Sequence, residues 1–170
     1  MRVHIPAAGD RQKRANRRVD VLLVCSTGGH LLQLVALRSA WAGYSHAWAT
    51  HARSDAISIL HGERVYHGYA PTSRNLKNLV RNFFFARRVL RETRPSVVVT
   101  TGAALAVPFS WVARALGVEV VYIETFSRIQ APSLTCKLVR RAASRVYVQW
   151  PDLVPRVPHA RYVGSVFADP

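Results

Sequence analysis

A glycine-rich turn that ends in a histidine is the first group of residues in this chain suited to chemistry. The turn follows a short apolar run and contains Thr27, Gly28, Gly29 and His30. Glycines let the backbone come close to a ligand, and amides at a helix N-terminus favour an anion such as phosphate. His30 is suited to donate a hydrogen bond to a phosphate or to take a proton from a hydroxyl. The alternative is an ordinary strand-to-helix turn with an exposed histidine.

The turn does not match either of the best-known phosphate motifs. It lacks the G-x-G-x-x-G spacing of a dinucleotide fingerprint. It also lacks the Gly-Lys-Ser/Thr sequence of a P-loop. The turn alone therefore predicts an anion site without naming its ligand.

A second candidate lies directly after another apolar run. This candidate is the segment 124–128, which begins with Glu124 and ends with Arg128. A carboxylate at the end of a buried strand is suited to bind sugar hydroxyls or to act as a base, and an arginine is suited to hold a phosphate. The alternative is a surface pair between Glu124 and Arg128, and the residues alone leave both interpretations open.

Apolar, β-branched runs alternate with helical patterns along the chain, and glycines and prolines separate them. The predicted strands are 19–25, 45–50, 64–67, 96–100, 118–123, 145–148 and 161–163, and the predicted helices are 31–41, 54–60, 74–92, 105–116 and 132–143. Such alternation predicts an α/β fold with an open parallel sheet and helices on both faces. Ligands in these sheets bind at the carboxyl ends of the strands. We therefore expect the site in loops 26–30, 67–74, 101–104 and 124–132.

The helix predicted over 74–92 carries a wide apolar stripe surrounded by basic residues. Leu79, Phe83 and Phe84 belong to the stripe, and Arg87 and Arg88 flank it. A basic helix with exposed aromatic side chains suits a membrane interface. The alternative is an ordinary amphipathic helix whose phenylalanines pack on the sheet.

The charge of the chain favours an anionic partner. Its 170 residues include 24 Lys and Arg against 9 Asp and Glu, a net charge of +15. Nucleic acid, anionic lipid and phosphates all fit that charge. We expect no nucleic acid, because the sequence has neither an RNP-type aromatic motif nor helix-turn-helix spacing.

The chain length fits one domain, which we place at 19–170 after a disordered basic tail at 1–18. One domain of this size is too short to form a cleft between two full lobes. Cys25 and Cys136 make neither a disulfide framework nor a zinc site, so we expect a reduced compartment and no metal. The longest uncharged run, 95–113, is interrupted by polar residues and glycine, so we expect peripheral membrane contact rather than a membrane-spanning helix.

Seven segments, taken in order, resemble the Alg-fourteen family, which includes PssD-type exopolysaccharide proteins. They are CSTGGHL at 25–31, PTSRNLKNL at 71–79, RP at 94–95, TGA at 101–103, YIETFSR at 122–128, PSLT at 132–135 and VQWP at 148–151. The resemblance covers about residues 20–166. It implies a Rossmann-like domain equivalent to the N-terminal lobe of a MurG-like GT-B glycosyltransferase.

The resemblance also implies roles for particular residues. His30 and Glu124 would be catalytic, with His30 as the best candidate for the general base. Gln149 and Trp150 would lie at the partner interface, and the stripe on helix 74–92 would face the membrane. The residues expected near the acceptor pyrophosphate are Thr27, Gly28, Gly29, Arg74, Asn75, Gly102 and Arg128.

The implied function is the acceptor-binding subunit of a heteromeric glycosyltransferase at the cytoplasmic face of the plasma membrane. It would extend a polyprenyl-pyrophosphate-linked saccharide with N-acetylglucosamine, glucuronic acid or another hexose. An Alg-thirteen-like (PssE-like) partner would bind most of the UDP-sugar, so we expect no cofactor on this chain and no activity without the partner. The alternatives are a self-sufficient nucleotide-sugar-binding enzyme and a basic nucleic-acid-binding protein.

Overall fold

The computed structural model describes residues 18–72 and 75–167. Most of the predicted basic tail and the predicted phosphate ligand Arg74 lie outside these ranges. The strands are β1 (Val21–Val24), β2 (His46–His51), β3 (Val65–Gly68), β4 (Val97–Thr100), β5 (Glu119–Ile123), β6 (Arg145–Val148) and β7 (Ala160–Tyr162). The helices are α1 (Gly29–Ala36), α2 (Arg38–Trp41), α3 (Ser54–Ile59), α4 (Leu76–Thr93), α5 (Ala106–Ala115) and α6 (Leu134–Val139), with a 3-10 helix at Pro151–Arg156.

The strands form one parallel sheet in the order β3-β2-β1-β4-β5-β6-β7. Leu22 in β1 is flanked by Ala47 in β2 and Val98 in β4. Because β1 is central and paired on both edges, its four residues are all buried, as its unbroken apolar run predicts. The α/β prediction is therefore confirmed.

The strand order reverses between β1 and β4, since the chain moves outward to β3 and then returns through α4 to the other side of β1. Such a reversal opens a crevice at the carboxyl ends of the two strands, because their connections leave in opposite directions. The predicted loops 26–30 and 101–104 follow β1 and β4 respectively. The topology therefore brings these two loops together.

Helices pack on both faces of the sheet, but they do not cover both faces equally. On one face, α4 and α5 pack over the centre through Phe85, Val89 and Phe109, and α6 covers the β5–β6 end through Val139. On the other face, α1 and α2 cover β1 and β2 through Leu31, Leu34 and Trp41, and α3 extends this cover. Among the described residues, no helix covers this second face over β4, β5 and β6.

The open part of the sheet is the floor of a large apolar groove, which we call the valine groove. Its floor residues include Val97, Val99, Val121, Ile123 and Tyr147. The volume of the groove is about 710 Å³, and Trp41 forms part of one wall while Val163 forms part of the other. The axes of β4 and β6 lie roughly 10 Å apart, from two strand spacings of about 4.8 Å each.

Two predicted helices differ from those in the structure. The helix expected over 31–41 divides at Leu37, whose φ of −84° and ψ of 19° leave the helical region. The helix expected over 132–143 is shorter, since it begins after Ser133, whose hydroxyl caps it by accepting a hydrogen bond from the Cys136 N–H. Proline at 132 precedes this cap rather than occupying the first turn.

Candidate functional site

The crevice between β1 and β4 brings His30 against the turn after β4. The Nδ1 atom of His30 lies 2.8 Å from the carbonyl oxygen of Thr101. In return, the Thr101 hydroxyl donates to the His30 carbonyl oxygen at 2.7 Å. His30 itself is half-buried in the first turn of α1, so part of its imidazole remains accessible.

Gly28 starts α1 in a backbone conformation that side chains disfavour, with φ of 71° and ψ of −138°. Its amide, predicted to bind phosphate, instead donates to Oδ2 of Asp55 in α3 at 2.7 Å. The prediction is therefore not supported for this amide, because a carboxylate already occupies the place of the anion. The amides of Gly29 and His30 come next and belong to the first helical turn, which has no acceptors for them inside the helix.

Gly102 shapes the crevice and does not offer a free amide to it. Its φ is 103°, and its N–H donates to the Thr100 hydroxyl at 3.1 Å. A Cβ atom there would lie 3.2 Å from the Tyr122 hydroxyl and 3.6 Å from Cε1 of His30. The predicted phosphate contact is therefore not supported for the Gly102 amide, and the missing side chain instead leaves room for the imidazole.

Glu124, the second predicted catalytic residue, is fully buried, and both of its carboxylate oxygens accept hydrogen bonds. Its Oε1 accepts from the Tyr122 hydroxyl at 3.1 Å and from the Thr125 amide at 2.8 Å, while Oε2 accepts from the Ser133 amide at 2.8 Å. Burial, together with the Glu124 carboxylate, raises the pKa of the Tyr122 hydroxyl, which therefore stays a donor. These contacts do not support a catalytic Glu124, because a carboxylate enclosed by three donors does not reach a substrate.

Gln33 is a site residue that the sequence prediction missed. It is buried in α1, where its Nε2 donates to the Gly29 carbonyl at 3.0 Å and to the Thr125 hydroxyl at 3.2 Å. Its Oε1 accepts from the Phe126 amide at 2.8 Å and from Nε2 of Gln149 at 2.7 Å. Gln33 thus joins the His30 helix to the loop after β5. The signal was a polar residue on the buried side of an otherwise apolar helix.

The two predicted interface residues occupy different environments. Gln149 is buried, where it donates to Gln33 and to the Glu124 carbonyl and accepts from the Val166 amide at 3.0 Å. Gln149 also lines the valine groove, and its place at a partner interface stays a prediction. Trp150 is half-buried and donates to the Phe126 carbonyl at 2.7 Å.

The remaining predicted phosphate ligands differ in exposure and in their hydrogen bonds. Thr27 is half-buried in the turn before α1. Asn75 caps α4, and its side-chain oxygen accepts from the Asn78 amide at 2.9 Å, so this oxygen is already in use. Arg128 is exposed in the loop after β5, beyond Glu124. Contacts therefore join His30, Gly102 and the Glu124 loop into one cluster, whereas the Asn75 side-chain oxygen bonds within α4.

Comparison with protein families supports the resemblance seen in the sequence. Residues 21–166 match the family described as "Oligosaccharide biosynthesis protein Alg14 like". The chain belongs to this Alg-fourteen family. The UDP-N-acetylglucosamine transferase subunit ALG14 of Rattus norvegicus is a relative with 25% identity, and the alignment covers 87% of this chain and 83% of the rat protein.

Solved structures support the same fold for this member of the Alg-fourteen family. MurG from Acinetobacter baumannii superposes with a TM-score of 0.71 at 18% identity, over 89% of this chain and 46% of MurG. The UDP-N-acetylglucosamine 2-epimerase of Rickettsia bellii has a TM-score of 0.67 at 14% identity, over 88% of this chain and 45% of the epimerase. The chain thus spans about half the length of either protein. The predicted Rossmann-like, MurG-like lobe is confirmed.

Proposed function

We propose that this chain is the acceptor-binding subunit of a two-chain glycosyltransferase that extends a polyprenyl-pyrophosphate-linked saccharide with a sugar from a UDP donor. The single observation that carries the proposal is His30, held half-exposed at the switch point of a lobe that spans about half of MurG. The rat relative, named a transferase subunit, supports the same role.

In the proposed reaction, the His30 imidazole acts as the general base. It takes the proton of the acceptor hydroxyl as the hydroxyl oxygen forms its bond to the anomeric carbon of the donor sugar. The bond from that carbon to the UDP oxygen breaks, and UDP leaves with the bonding electrons. Amides of the α1 first turn and the exposed Arg128 are suited to hold the acceptor pyrophosphate. For Glu124 we propose a positioning role, since it fixes the loop that carries Arg128.

We assign the donor mainly to a second, Alg-thirteen-like chain, and we place its contact at the valine groove. The groove exposes an apolar sheet face of the kind that helices usually cover in α/β folds. A helix about 10 Å wide matches the roughly 10 Å between the axes of β4 and β6. The half-length match to MurG supports a missing second lobe. Gln149 is among the residues that line this groove, so this location keeps Gln149 as an expected contact, and Trp150 also stays a prediction.

The test is reconstitution with an Alg-thirteen-like chain from the same source. We expect sugar transfer to a polyprenyl-pyrophosphate acceptor from the pair and none from either chain alone. Full transfer by the single chain would instead favour the self-sufficient enzyme. Binding of RNA with a steep salt dependence, and no transfer by the pair, would favour the nucleic-acid alternative.

Replacing Val163 with glutamate should weaken the pair without unfolding the chain. Val163 is 77% exposed on the wall of the valine groove. A carboxylate there would stay hydrated in the free chain but would lose its hydration against an apolar surface in the pair. We expect at least a roughly tenfold rise in the dissociation constant, measured by calorimetry. The control is Val154→Glu, at an exposed valine away from the groove. Equal losses in both variants, or none in Val163→Glu, would exclude this location; a stable homodimer sensitive to Val163→Glu would make a second copy the occupant.

We also propose that α4 lies against an anionic membrane. Leu76, Val80 and Phe84 follow one another at intervals of four residues, and their exposed fractions are 74%, 49% and 70%. Arg87 and Arg88 are exposed beside them, whereas Leu79 and Phe83 are half-buried. The predicted stripe therefore shifts toward Leu76, Val80 and Phe84. Within the described residues, no helix has both the length and the apolar character needed to cross a bilayer.

Replacing Phe84 with glutamate should release the chain from vesicles that contain phosphatidylglycerol. Burying a phenylalanine contributes about 2 kcal/mol, so its loss should lower vesicle affinity roughly tenfold or more. Co-sedimentation measures this affinity. Leu116→Glu is the matched control, since Leu116 is 42% exposed at the end of α5. The membrane proposal is wrong if Phe84→Glu binds as well as the unaltered chain, or if Leu116→Glu loses as much.

A further inference from the structure

The pair formed by His30 and Thr101 has two hydrogen bonds that run in opposite directions. Thr101 is fully buried, and its carbonyl oxygen lies 2.8 Å from Nδ1 of His30. Its hydroxyl donates to the His30 carbonyl at 2.7 Å. Both the backbone and the ring of His30 are therefore attached to one residue of the neighbouring loop.

The direction of the first bond determines which ring nitrogen carries the proton. A carbonyl oxygen only accepts, so the bond requires a proton on Nδ1. In the neutral imidazole, Nε2 is then left with its lone pair and without a proton. Only an unprotonated nitrogen acts as a base, so the tautomer decides whether His30 has the right atom available.

The backbone around Thr101 supports this arrangement. Gly102 and Ala103 have φ values of 103° and 66°, so the chain turns sharply just after the carbonyl that accepts from His30. The Thr100 hydroxyl accepts from the Gly102 amide at 3.1 Å and fixes this turn. The missing side chain of Gly102 leaves room beside Cε1 of the imidazole, as described above. The turn thus holds a carbonyl at one side of the ring.

We infer that Thr101 is the positioning residue of the site: its carbonyl holds His30 in the Nδ1–H tautomer, which makes Nε2 the atom that removes the acceptor proton. The part of the inference in which Nε2 removes the acceptor proton rests on the proposed function. The tautomer of His30 is a property of this chain alone. The Thr101 hydroxyl acts through His30, because it anchors the start of α1 to the loop that supplies the carbonyl.

The first experiment identifies the His30 tautomer by NMR and needs no measurement of transferase activity. Long-range nitrogen–proton NMR spectra of the full chain with labelled histidine are recorded at about pH 9, where imidazoles are neutral. His30→Gln identifies the His30 signals. We expect the Nδ1–H pattern in the unaltered chain and in Thr101→Ser, and a mixture of both tautomers in Thr101→Val. An Nε2–H pattern in the unaltered chain would overturn the inference.

The second experiment measures transfer by the reconstituted pair. We expect Thr101→Val to lower kcat roughly tenfold with little change in the KM for the acceptor, and Thr101→Ser to restore most of kcat. The matched control is Thr93→Val, which also removes a buried hydroxyl bonded to a carbonyl, but far from the site. Equal kcat in Thr101→Val and Thr93→Val would overturn the positioning role. If the unaltered pair transfers no sugar, the proposed function fails while the NMR result still decides the tautomer.

Discussion

Replacing His30 with glutamine is expected to lower sugar transfer by the reconstituted pair by roughly 10²- to 10⁴-fold, the usual contribution of a general base. Glutamine is similar in size and can still hydrogen-bond to the Thr101 carbonyl, but its amide does not accept a proton at neutral pH. The fall should appear in kcat, because the lost interaction belongs to the transition state. Steady-state kinetics with saturating donor and acceptor measure it.

The fold should survive this substitution, because His30 is half-buried and its ring makes one hydrogen bond to the described part of the chain. We expect the free energy of unfolding to change by about 1 kcal/mol or less. His61→Gln is the matched control, since His61 is exposed just after α3 and belongs to none of the expected ligand-binding loops. Retention of more than about a tenth of kcat in His30→Gln would mean that another group is the base.

Replacing Glu124 with alanine should instead damage the fold. The substitution leaves the Tyr122 hydroxyl and the amides of Thr125 and Ser133 without their acceptor in the interior. One unsatisfied buried donor costs about 1–3 kcal/mol. Because Thr125 and Ser133 are only half-buried, the total loss should lie toward the low end for three donors, roughly 3–5 kcal/mol of unfolding free energy. Urea unfolding of the single chain measures the loss.

Glu119→Ala supplies the comparison, because Glu119 is exposed at the start of the same strand. We expect that variant to remain within about 0.5 kcal/mol of the unaltered chain. A loss below about 1 kcal/mol in Glu124→Ala, accompanied by loss of transfer, would contradict the positioning role and restore a catalytic one.

The sequence was sufficient to predict the order of the elements. Apolar runs such as 19–25 and 118–123 predict buried strands, because parallel sheets hide both faces of a strand. The same pattern placed the loops of His30 and Thr101 at the carboxyl ends of their strands, but the strand order that makes these loops neighbours came only from the structure. The pattern missed helix ends that local capping determines. At Ser133, for example, the side-chain hydroxyl caps the first turn of α6, so the helix begins later than predicted.

The site was harder to predict, because a residue type does not reveal what bonds to it. Glu124 at the end of a strand has the same signature whether its carboxylate faces a substrate or three internal donors. Gly28 similarly has the signature of an anion-binding turn, yet the carboxylate of Asp55 comes from 27 residues away. Gln33 and Gln149 meet across 116 residues. Such contacts depend on tertiary packing, which single-sequence patterns do not encode.

The exposed floor of the valine groove also affects how much folded chain can accumulate in a cell. A contiguous apolar surface exposed to water promotes aggregation and degradation by quality-control proteases. If a second chain normally shields that side, newly made copies in excess of it would be lost rather than stored. The amount of complex would then be limited by the less abundant of the two chains, and overproduction of this chain alone would not raise it.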